Sequence, residues 1–406
     1  MKIALLQGGG TCPGSNDAHL GLAKRARGYG HEIVFIPNGF KGLITPRMKY
    51  QNILEHPLIR EKGLDGLHLK PGCEWGTSRT KPIPSVDENG KVKRDVPNLP
   101  PEEQEAWYRK NLEMFKKNTD IIQENLTQNQ IDMLCLVGGD DTLWRGGSML
   151  YSAGVLRRRG RKGMQTVQTL GIPKTIDNDF LRIAYSYGAT SAGLRGQEFV
   201  REGRVEADIN GKLVLIEGMG RNCGWLAGAS AEESADGVLI PEIPLSQTEV
   251  IEAVQNLIRE RGKNIVLVVA EGFPIDGKKV EESGHPDAYG HRRLGGVRYA
   301  IQKWLDDAGI DSMQMCPGYL FRSGPPTERD ANFAFRLGWT AMDVALVQRR
   351  NGVIPYLPEG CRSLEDKLQF MEMSEIRGGK TLDPQGYDPD TLRYTRPLMP
   401  DPEKRS

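Results

Sequence analysis

Short, continuous apolar segments recur along the chain, and most of them end at a glycine or a turn cluster. The seven segments are Ile3–Leu6, Ile33–Ile36, Met133–Val137, Val167–Ile172, Leu213–Ile216, Val238–Ile240 and Ile265–Val269. Because apolar and polar positions do not alternate within them, these segments predict strands that are buried on both faces of a parallel sheet.

Segments with apolar residues at helical spacing lie between the predicted strands. Residues 102–127 and 327–350 have this pattern, and Ser246 with Glu249 three residues later predicts a capping box at the start of another helix. The apolar stripe of the second segment is formed by Phe333, Leu337, Ala341 and Val344. Strands that alternate with helices predict a doubly wound α/β fold with mostly parallel sheets.

Composition narrows the class of protein without identifying it. The 406 residues suggest two lobes, and 54 basic against 53 acidic side chains give no general attraction for nucleic acid. The chain has no apolar segment of the roughly 20 residues that a membrane helix needs. Its six cysteines are scattered, which argues against a disulfide framework or a zinc site. We therefore expect a cytoplasmic protein that binds neither nucleic acid nor membranes.

Three segments with polar side chains follow predicted strands, and the first two are rich in glycine. Gly8–Asn16 lies between the first strand and a helix, where backbone N–H groups can approach an anion, although a tight turn has the same layout. Leu136–Thr142 carries Asp140 and Asp141, of which one holds Mg²⁺ or caps the helix. Gly171–Asp179 gathers a lysine, a hydroxyl and two carboxylates, which supply a phosphate counter-charge, a hydrogen-bond donor and a general base.

Three further turn segments follow apolar runs. They are Glu217–Gly224, Ala270–Gly272 and Gly318–Gly324. Arg221 and Arg322 lie in the first and third of these segments, and each is a candidate for bidentate phosphate binding or for a surface ion pair.

The order and spacing of these motifs resemble the phosphofructokinase family over roughly residues 1–350. The resemblance rests on Pro173–Asp179 together with Met219–Arg221, and Gly76–Arg79 matches the family's phosphate-contacting arginine segment. It implies two doubly wound lobes with the active site in the cleft between them. The expected donor lobe spans 1–187 with a returning segment at 321–355, the sugar-phosphate lobe spans 188–320, and a C-terminal extension covers 356–406.

The resemblance also implies a role for each matching residue. Asp177 is the expected catalytic base, and Thr175, Asp179 and Arg221 are expected to assist it. The expected donor-binding residues are Gly9, Gly10, Arg79, Asp140, Asp141 and Lys174. The expected sugar-phosphate-binding residues are Thr175, Asp177, Met219, Gly220, Arg221, Glu271, Tyr319 and Arg322. The implied cofactor is Mg²⁺, with Asp140 as its ligand.

Two positions bear on the identity of the phosphoryl donor. ATP-using members of the family usually carry glycine where Asp141 and Lys174 stand here. A carboxylate about 4 Å from the α-phosphate of ATP would repel it by roughly 4 kcal/mol at an effective dielectric constant of about 20. Lys174 would instead neutralise a compact donor. The predicted reaction is therefore the reversible, Mg²⁺-dependent transfer of a phosphoryl group from pyrophosphate to fructose 6-phosphate.

Alternatives to this reaction remain open. One is an ATP-dependent phosphofructokinase. Another is a kinase for a different ketose phosphate such as sedoheptulose 7-phosphate, because Lys212 and Met313 stand where the family often has cross-subunit arginines. Possible substitutes for these arginines are Arg292, Arg293 and Arg298. A silent, ligand-binding member is a third. The resemblance also implies a homo-oligomer, either a dimer or a tetramer. Cys12, in the first loop, is either a small buried residue or a redox-sensitive thiol.

Overall fold

The structure is a computed structural model that describes residues 1–82, 106, 110, 115–232, 234–280, 294–361 and 363–398. The helix predicted over 102–127 is described from Lys116 onward, and most of its first half lies outside these residues. Within the described part of the chain, no helix has the length and the apolar character needed to cross a membrane.

The regular elements are numbered in chain order. The strands are β1 (Lys2–Gln7), β2 (Glu32–Phe35), β3 (Gln51–Asn52), β4 (Met133–Gly138), β5 (Arg157–Gly160), β6 (Gly163–Thr166), β7 (Gln168–Pro173), β8 (Leu213–Gly218), β9 (Gly237–Leu239), β10 (Val266–Ala270), β11 (Pro274–Ile275), β12 (Lys278–Lys279), β13 (Ser312–Met315), β14 (Val353–Tyr356), β15 (Gln369–Glu372), β16 (Tyr387–Asp388) and β17 (Arg393–Tyr394). The α-helices are α1 (Ser15–Gly28), α2 (Gly39–Leu43), α3 (Pro57–Lys62), α4 (Lys116–Gln128), α5 (Met149–Ser152), α6 (Ala189–Asn210), α7 (Trp225–Ala231), α8 (Gln247–Arg261), α9 (Val297–Asp307), α10 (Leu320–Ser323) and α11 (Glu328–Leu346). A π-helix spans Asp141–Ser148, and 3₁₀ turns span Ile53–Glu55, Leu64–Leu67, Met373–Glu375 and Pro384–Gly386.

The larger sheet has seven strands in the order β15-β14-β7-β4-β1-β2-β3. Its five inner strands run parallel, and the two edge strands are antiparallel to their neighbours. β4 is buried along its whole length, as its unbroken apolar sequence predicts. The chain winds outward in both directions from β1, so a crevice opens between the carboxyl ends of β1 and β4, where doubly wound folds bind their ligands.

The smaller sheet has four parallel strands in the order β13-β8-β10-β9. β8 and β10 are fully buried at its centre. All seven strands predicted from the apolar segments are present, and the α/β class with mostly parallel sheets is confirmed. The capping box that opens α8 is also present. The exact lobe boundaries stay predictions.

Two glycines allow α1 and α11 to pack with their backbones in contact. A Cβ atom at Gly21 would collide with the carbonyl of Phe335, and one at Gly338 would collide with the carbonyl of Ala18. The predicted apolar stripe of α11 is buried in the same core. This close packing fixes the first turn of α1, which directly follows the first glycine-rich loop.

The C-terminal part of the chain contacts both sheets. β15 pairs with β14 at the edge of the larger sheet. Further on, the carbonyl of Leu392 accepts a hydrogen bond from the Val238 N–H at 2.7 Å, and the Tyr387 hydroxyl donates to the Val238 carbonyl at 2.7 Å. Residues beyond 356, which the sequence predicts as an extension, therefore hold the edge of the smaller sheet as well.

Candidate active site

A cleft of about 630 Å³ lies at the carboxyl ends of the strands. Its lining combines the loops after β1, β4 and β7 with residues from the loop after β8, with Arg322 and with the C-terminal part of the chain. The lining residues are Gly9, Gly10, Thr11, Ser78, Arg79, Thr80, Lys81, Gly139, Asp140, Asp141, Thr142, Lys174, Thr175, Ile176, Asp177, Asp179, Phe180, Arg221, Asn222, Arg322, Gly378 and Gly379. Eleven of the residues predicted from the sequence are among them, on six separate segments of the chain.

The first loop is held open by its glycines and by the segment around Arg79. Gly9 has a φ of 86°, a backbone conformation that favours glycine, and its N–H donates to the Ser78 carbonyl at 2.8 Å. The Thr77 hydroxyl donates to the carbonyls of Gln7 and Gly9 at 3.1 and 2.9 Å. These bonds place Arg79 beside the loop, as expected of a residue that neutralises a bound phosphate.

A buried ammonium group lies against the same loop. Lys174 Nζ donates to the Gly10 carbonyl at 2.7 Å, and the side chain is 5 % exposed. Burial lowers the pKa of Lys174, and the positive charges of Arg322 and Arg79 lower it further. A Cβ at Gly10 would collide with the Arg322 guanidinium. The loop therefore brings three cations together, which an anionic ligand would stabilise.

The two adjacent aspartates after β4 have different environments. Asp140 Oδ1 accepts a hydrogen bond from the Asp141 N–H at 2.9 Å, so Asp140 does cap the helical segment that follows. Asp141 Oδ2 lies 3.3 Å from Lys81 Nζ. Lys81 was not predicted from the sequence, and its charge offsets that of Asp141. The repulsion between Asp141 and a nucleotide is therefore smaller than the roughly 4 kcal/mol of an isolated carboxylate.

The loop after β7 is fixed by its own side chains. The Thr175 hydroxyl accepts a hydrogen bond from the Asp177 N–H at 3.1 Å. Asn178 has a φ of 51°, which asparagine tolerates better than most residues, and its Oδ1 accepts from the Ser186 N–H at 3.0 Å. The Ser186 hydroxyl donates to the Thr175 carbonyl at 2.9 Å. Asn178 and Ser186 thus set the conformation in which Asp177 and Asp179 face the cleft.

Both carboxylates of this loop bind protons more tightly than usual. Burial raises the pKa of Asp177, and the nearby charge of Glu271 raises it further. Burial also raises the pKa of Asp179 to about 6, with a smaller contribution from Asp177, while a hydrogen bond from Thr175 and the charge of Lys380 oppose the rise. A carboxylate of this kind can accept a proton near neutral pH, as a general base must.

The raised pKa of Asp179 predicts a cost in stability that depends on pH. The cost is absent below the ordinary aspartate pKa and complete above about pH 6, where the buried group is ionised. Asp179→Asn should therefore stabilise the fold at pH 8 by about 1–3 kcal/mol, with a gain that shrinks towards pH 5 and vanishes below about pH 4. Thermal unfolding of the two proteins across this range measures the effect.

The exposed Asp306 supplies the control for that comparison, and Asp306→Asn should leave the Tm unchanged at every pH. A Tm of Asp179→Asn at pH 8 that equals or falls below that of the wild type would contradict the proposed environment of this carboxylate.

The residues expected to bind the sugar phosphate are only partly gathered in the cleft. Arg221 and Arg322 line it, whereas Met219, Gly220, Glu271 and Tyr319 are not among its lining residues. The Tyr319 ring is half exposed and lies 4.8 Å from the Arg322 guanidinium carbon. Burial raises the pKa of Glu271, and the positive charge of Arg221 opposes the rise.

Lys212 and Met313 lie at the far end of the smaller sheet. Lys212 precedes β8 and Met313 is in the first half of β13, so both are at the amino ends of strands whose carboxyl ends face the cleft. Lys212 Nζ is 3.9 Å from Asp311 Oδ2. Of the possible substitutes, Arg292 and Arg293 lie outside the described residues, and Arg298 forms an ion pair with Glu217 at 3.1 Å. Within one chain, none of Lys212, Met313 and Arg298 lines the cleft.

Cys12 is a structural residue of the first loop. It is fully buried, and its thiol donates to the Tyr187 carbonyl at 3.4 Å. Burial raises the pKa of Cys12 to about 12, so the reactive thiolate is scarce at neutral pH. The six cysteines all lie in the described part of the chain, and none forms a disulfide.

The carboxylates of the cleft determine whether it can hold Mg²⁺. Among the described residues, no group of three or more metal-ligating side chains is found. Mg²⁺ is usually held by one or two carboxylates together with substrate phosphates and water, so a dedicated cage is not needed. Asp140, the expected ligand, lines the cleft and supplies carboxylate oxygens of the right chemistry.

Comparison with known proteins agrees with the geometry of the cleft. The family model described as Phosphofructokinase matches residues 2–345. The chain is 30 % identical over 367 residues to the pyrophosphate–fructose 6-phosphate 1-phosphotransferase of Thermoproteus tenax, covering 88 % of this chain and 92 % of that protein. It is 32 % identical over 352 residues to the ATP-dependent 6-phosphofructokinase 2 of Clostridium perfringens, covering 84 % of each.

A solved structure shares the fold. The pyrophosphate-dependent phosphofructokinase of Nitrosospira multiformis aligns with a TM-score of 0.74 at 19 % identity, covering 97 % of this chain and 89 % of that one. The two-sheet architecture with its intervening cleft is therefore one that solved proteins also adopt.

Proposed function

Because the chain belongs to the phosphofructokinase family and is thus a phosphotransferase, we propose that it transfers a phosphoryl group from pyrophosphate to the 1-hydroxyl of fructose 6-phosphate. The products are fructose 1,6-bisphosphate and phosphate. The proposal rests on the donor side of the cleft. There, buried Lys174 lies against the first glycine-rich loop, and Asp141 lines the cleft from the segment after β4.

The donor side favours a short, highly charged molecule. Lys174, Arg79 and Arg322 concentrate positive charge around Gly10, and backbone N–H groups of the glycine loops add donors for phosphate oxygens. Asp141 disfavours a further phosphate on its side of the cleft, to the extent that Lys81 does not neutralise it. Pyrophosphate satisfies the cations without needing room for a nucleoside.

Asp177 is the proposed base. Its carboxylate accepts the proton of the 1-hydroxyl as that oxygen forms a bond to the terminal phosphorus of pyrophosphate. The bond from this phosphorus to the bridging oxygen breaks, and phosphate leaves with the electron pair. Phosphoryl transfer depends mainly on positioning and charge stabilisation, and Thr175 and Asn178 supply the positioning by fixing the loop that carries Asp177.

The remaining residues complete the proposal. Asp140 would hold Mg²⁺, whose charge would neutralise that of the phosphates when it is bound. Arg221, Arg322, Met219, Gly220, Glu271 and Tyr319 form the sugar-phosphate side. We propose that the reaction takes place in the cytoplasm, as a step of sugar-phosphate metabolism. We also propose that the enzyme acts as a homo-oligomer.

The proposed reaction is expected to run in both directions, because the bond broken and the bond formed have comparable transfer potential. Purified protein supplied with Mg²⁺, pyrophosphate and fructose 6-phosphate should form fructose 1,6-bisphosphate. Supplied with fructose 1,6-bisphosphate and phosphate, it should form pyrophosphate without any nucleotide. Forward turnover with no detectable reverse reaction at high phosphate would contradict the pyrophosphate assignment.

The acceptor has a second candidate because of two specific residues. Lys212 and Met313 replace arginines that the family often contributes from a neighbouring subunit, so one charge-assisted contact to the sugar phosphate, worth roughly 1.5–3 kcal/mol, is weakened or lost. A longer ketose phosphate such as sedoheptulose 7-phosphate has further hydroxyls for binding. Comparing kcat/KM for the two sugars, each with pyrophosphate, decides between them.

A further inference from the structure

A segment beyond the family match reaches the cleft. The match ends at residue 345, whereas Gly378 and Gly379 line the cleft. They belong to residues 377–382, here named the C-terminal strap. A Cβ atom at Gly378 would lie 3.3 Å from Asp140 Oδ2, so the strap passes close to the donor side.

The strap is bonded directly to the segment that leaves the catalytic loop. The Leu181 N–H donates to the Arg377 carbonyl at 2.9 Å, and Phe180 pairs with Gly378 as an antiparallel bridge. The Lys380 N–H donates to the carbonyl of Asp179 itself at 2.8 Å. Through these bonds the strap determines where the backbone of the catalytic loop lies.

The other side of this segment is also held by the C-terminal part of the chain. The Ala184 N–H donates to the Leu357 carbonyl at 2.8 Å, and Ile183 pairs with Pro358. At its far end the strap is anchored by the Leu382 N–H, which donates to Glu242 at 2.9 Å. Glu242 also accepts from the Gly224 N–H, in the loop that carries Arg221. The strap therefore links the catalytic loop to a loop of the smaller sheet.

The side chain of Lys380 reinforces this link. Its Nζ donates to the Ile183 carbonyl at 2.7 Å and is 3.4 Å from the Ala184 carbonyl. The Lys380 side chain is half buried, and its charge acts on the carboxylate of Asp179. A surface lysine would not be fixed by two carbonyls of the segment that follows the catalytic loop.

We propose that Lys380 is a positioning residue for phosphoryl transfer, which holds the Asp177–Asp179 loop through its bonds and supplies a positive charge beside Asp179. The inference rests on the proposed function, since it concerns the same carboxylate pair. Lys380 acts through this pair and does not itself line the cleft.

The direction of the expected pH effect follows from the charges around the pair. The groups that face Asp177 are Glu271, Arg322, Lys174 and Arg79, and those that face Lys380 are Asp179, Glu359 and Cys223. Burial raises the pKa of Asp179, and the charge of Lys380 opposes this rise. Removing the charge of Lys380 should therefore raise the pKa of Asp179 further. The carboxylate pair would then stay protonated to a higher pH, and the acid limb of the pH–rate profile would move to higher pH.

The test measures kcat and KM between pH 5 and 9 for the wild type, Lys380→Met and Lys380→Arg, with fructose 6-phosphate and pyrophosphate, or ATP if the wild type uses only that donor. Lys380→Met should move the acid limb of kcat upward by about one pH unit. The loss in kcat should be roughly five- to tenfold at pH 6 and less than roughly twofold at pH 8.5. Lys380→Arg should restore the wild-type limb, and the exposed Lys367→Met should behave as the wild type.

The outcomes separate this inference from the proposed function. A wild type that is inactive with both donors contradicts the function, whereas an active wild type with an unchanged acid limb in Lys380→Met contradicts the role of Lys380. An equal loss at every pH also overturns it, because that pattern indicates structural damage alone. If Lys380→Met does not fold, Lys380→Gln retains a donor for the Ile183 carbonyl without the charge and provides the same comparison.

Discussion

Asp177→Asn should lower kcat by about 100- to 10,000-fold, the usual contribution of a general base. The amide has nearly the same shape as the carboxylate but cannot accept the proton of the sugar hydroxyl. Asp177 lines the cleft on a loop fixed by Thr175 and Asn178, so the replacement should not displace its neighbours. Steady-state kinetics at pH 8 measure the loss.

The KM of Asp177→Asn shows whether the variant has lost catalysis or substrate binding. Removal of a negative charge next to Glu271 and a bound phosphate should leave KM unchanged or lower it. Asp179→Asn provides the matched control, because it neutralises the neighbouring carboxylate and should cause a smaller loss in kcat. A full-rate Asp177→Asn enzyme, or one in which only KM has risen, would show that another group accepts the proton.

Asp141→Gly combined with Lys174→Gly should shift the donor preference towards ATP. Without Lys174 the enzyme loses a charge-assisted contact to pyrophosphate worth roughly 1.5–3 kcal/mol, which corresponds to a fall in kcat/KM of about 10- to 100-fold. Without Asp141, the cleft loses a negative charge that would repel a longer polyphosphate. The ratio of kcat/KM for ATP to that for pyrophosphate should rise by at least about 100-fold.

The single variants show which residue acts on which donor. Lys174→Met keeps most of the side-chain volume against Gly10 and should weaken pyrophosphate use without improving ATP use. Asp141→Gly alone should improve ATP use and affect pyrophosphate less. If the double variant keeps the wild-type donor ratio, then neither residue sets the donor preference and the charges of the cleft have been misinterpreted.

Strong local patterns made most of the framework predictable. Seven mainly apolar segments predicted most of the central strands of both sheets, and the Ser246–Glu249 spacing predicted the start of α8. β13 escaped prediction because Ser312–Met315 is half polar and half buried. β14 contains Pro355, a residue that argues against a strand in sequence reasoning and is tolerated here near the edge of the sheet.

The candidate site was predictable where one loop carries several functional groups. Pro173–Asp179 and Gly8–Gly10 have this character, and the structure brings both to one cleft. Lys81 and Lys380 could not be found in the same way, because their partners Asp141 and Asp179 are distant in sequence and no local spacing connects them. The glycine pair before Lys380 is the one local sign of close backbone packing in that segment.

The identity of the donor is the central claim, and a direct comparison of pyrophosphate and ATP tests it. Purified wild-type protein is assayed with Mg²⁺ and fructose 6-phosphate at pH 8, with each donor varied over its full range and Asp177→Asn as the blank. The account predicts a kcat/KM for pyrophosphate that exceeds the value for ATP by at least about 10-fold. A higher kcat/KM for ATP would contradict the proposed roles of Asp141 and Lys174, while leaving the chain in its family.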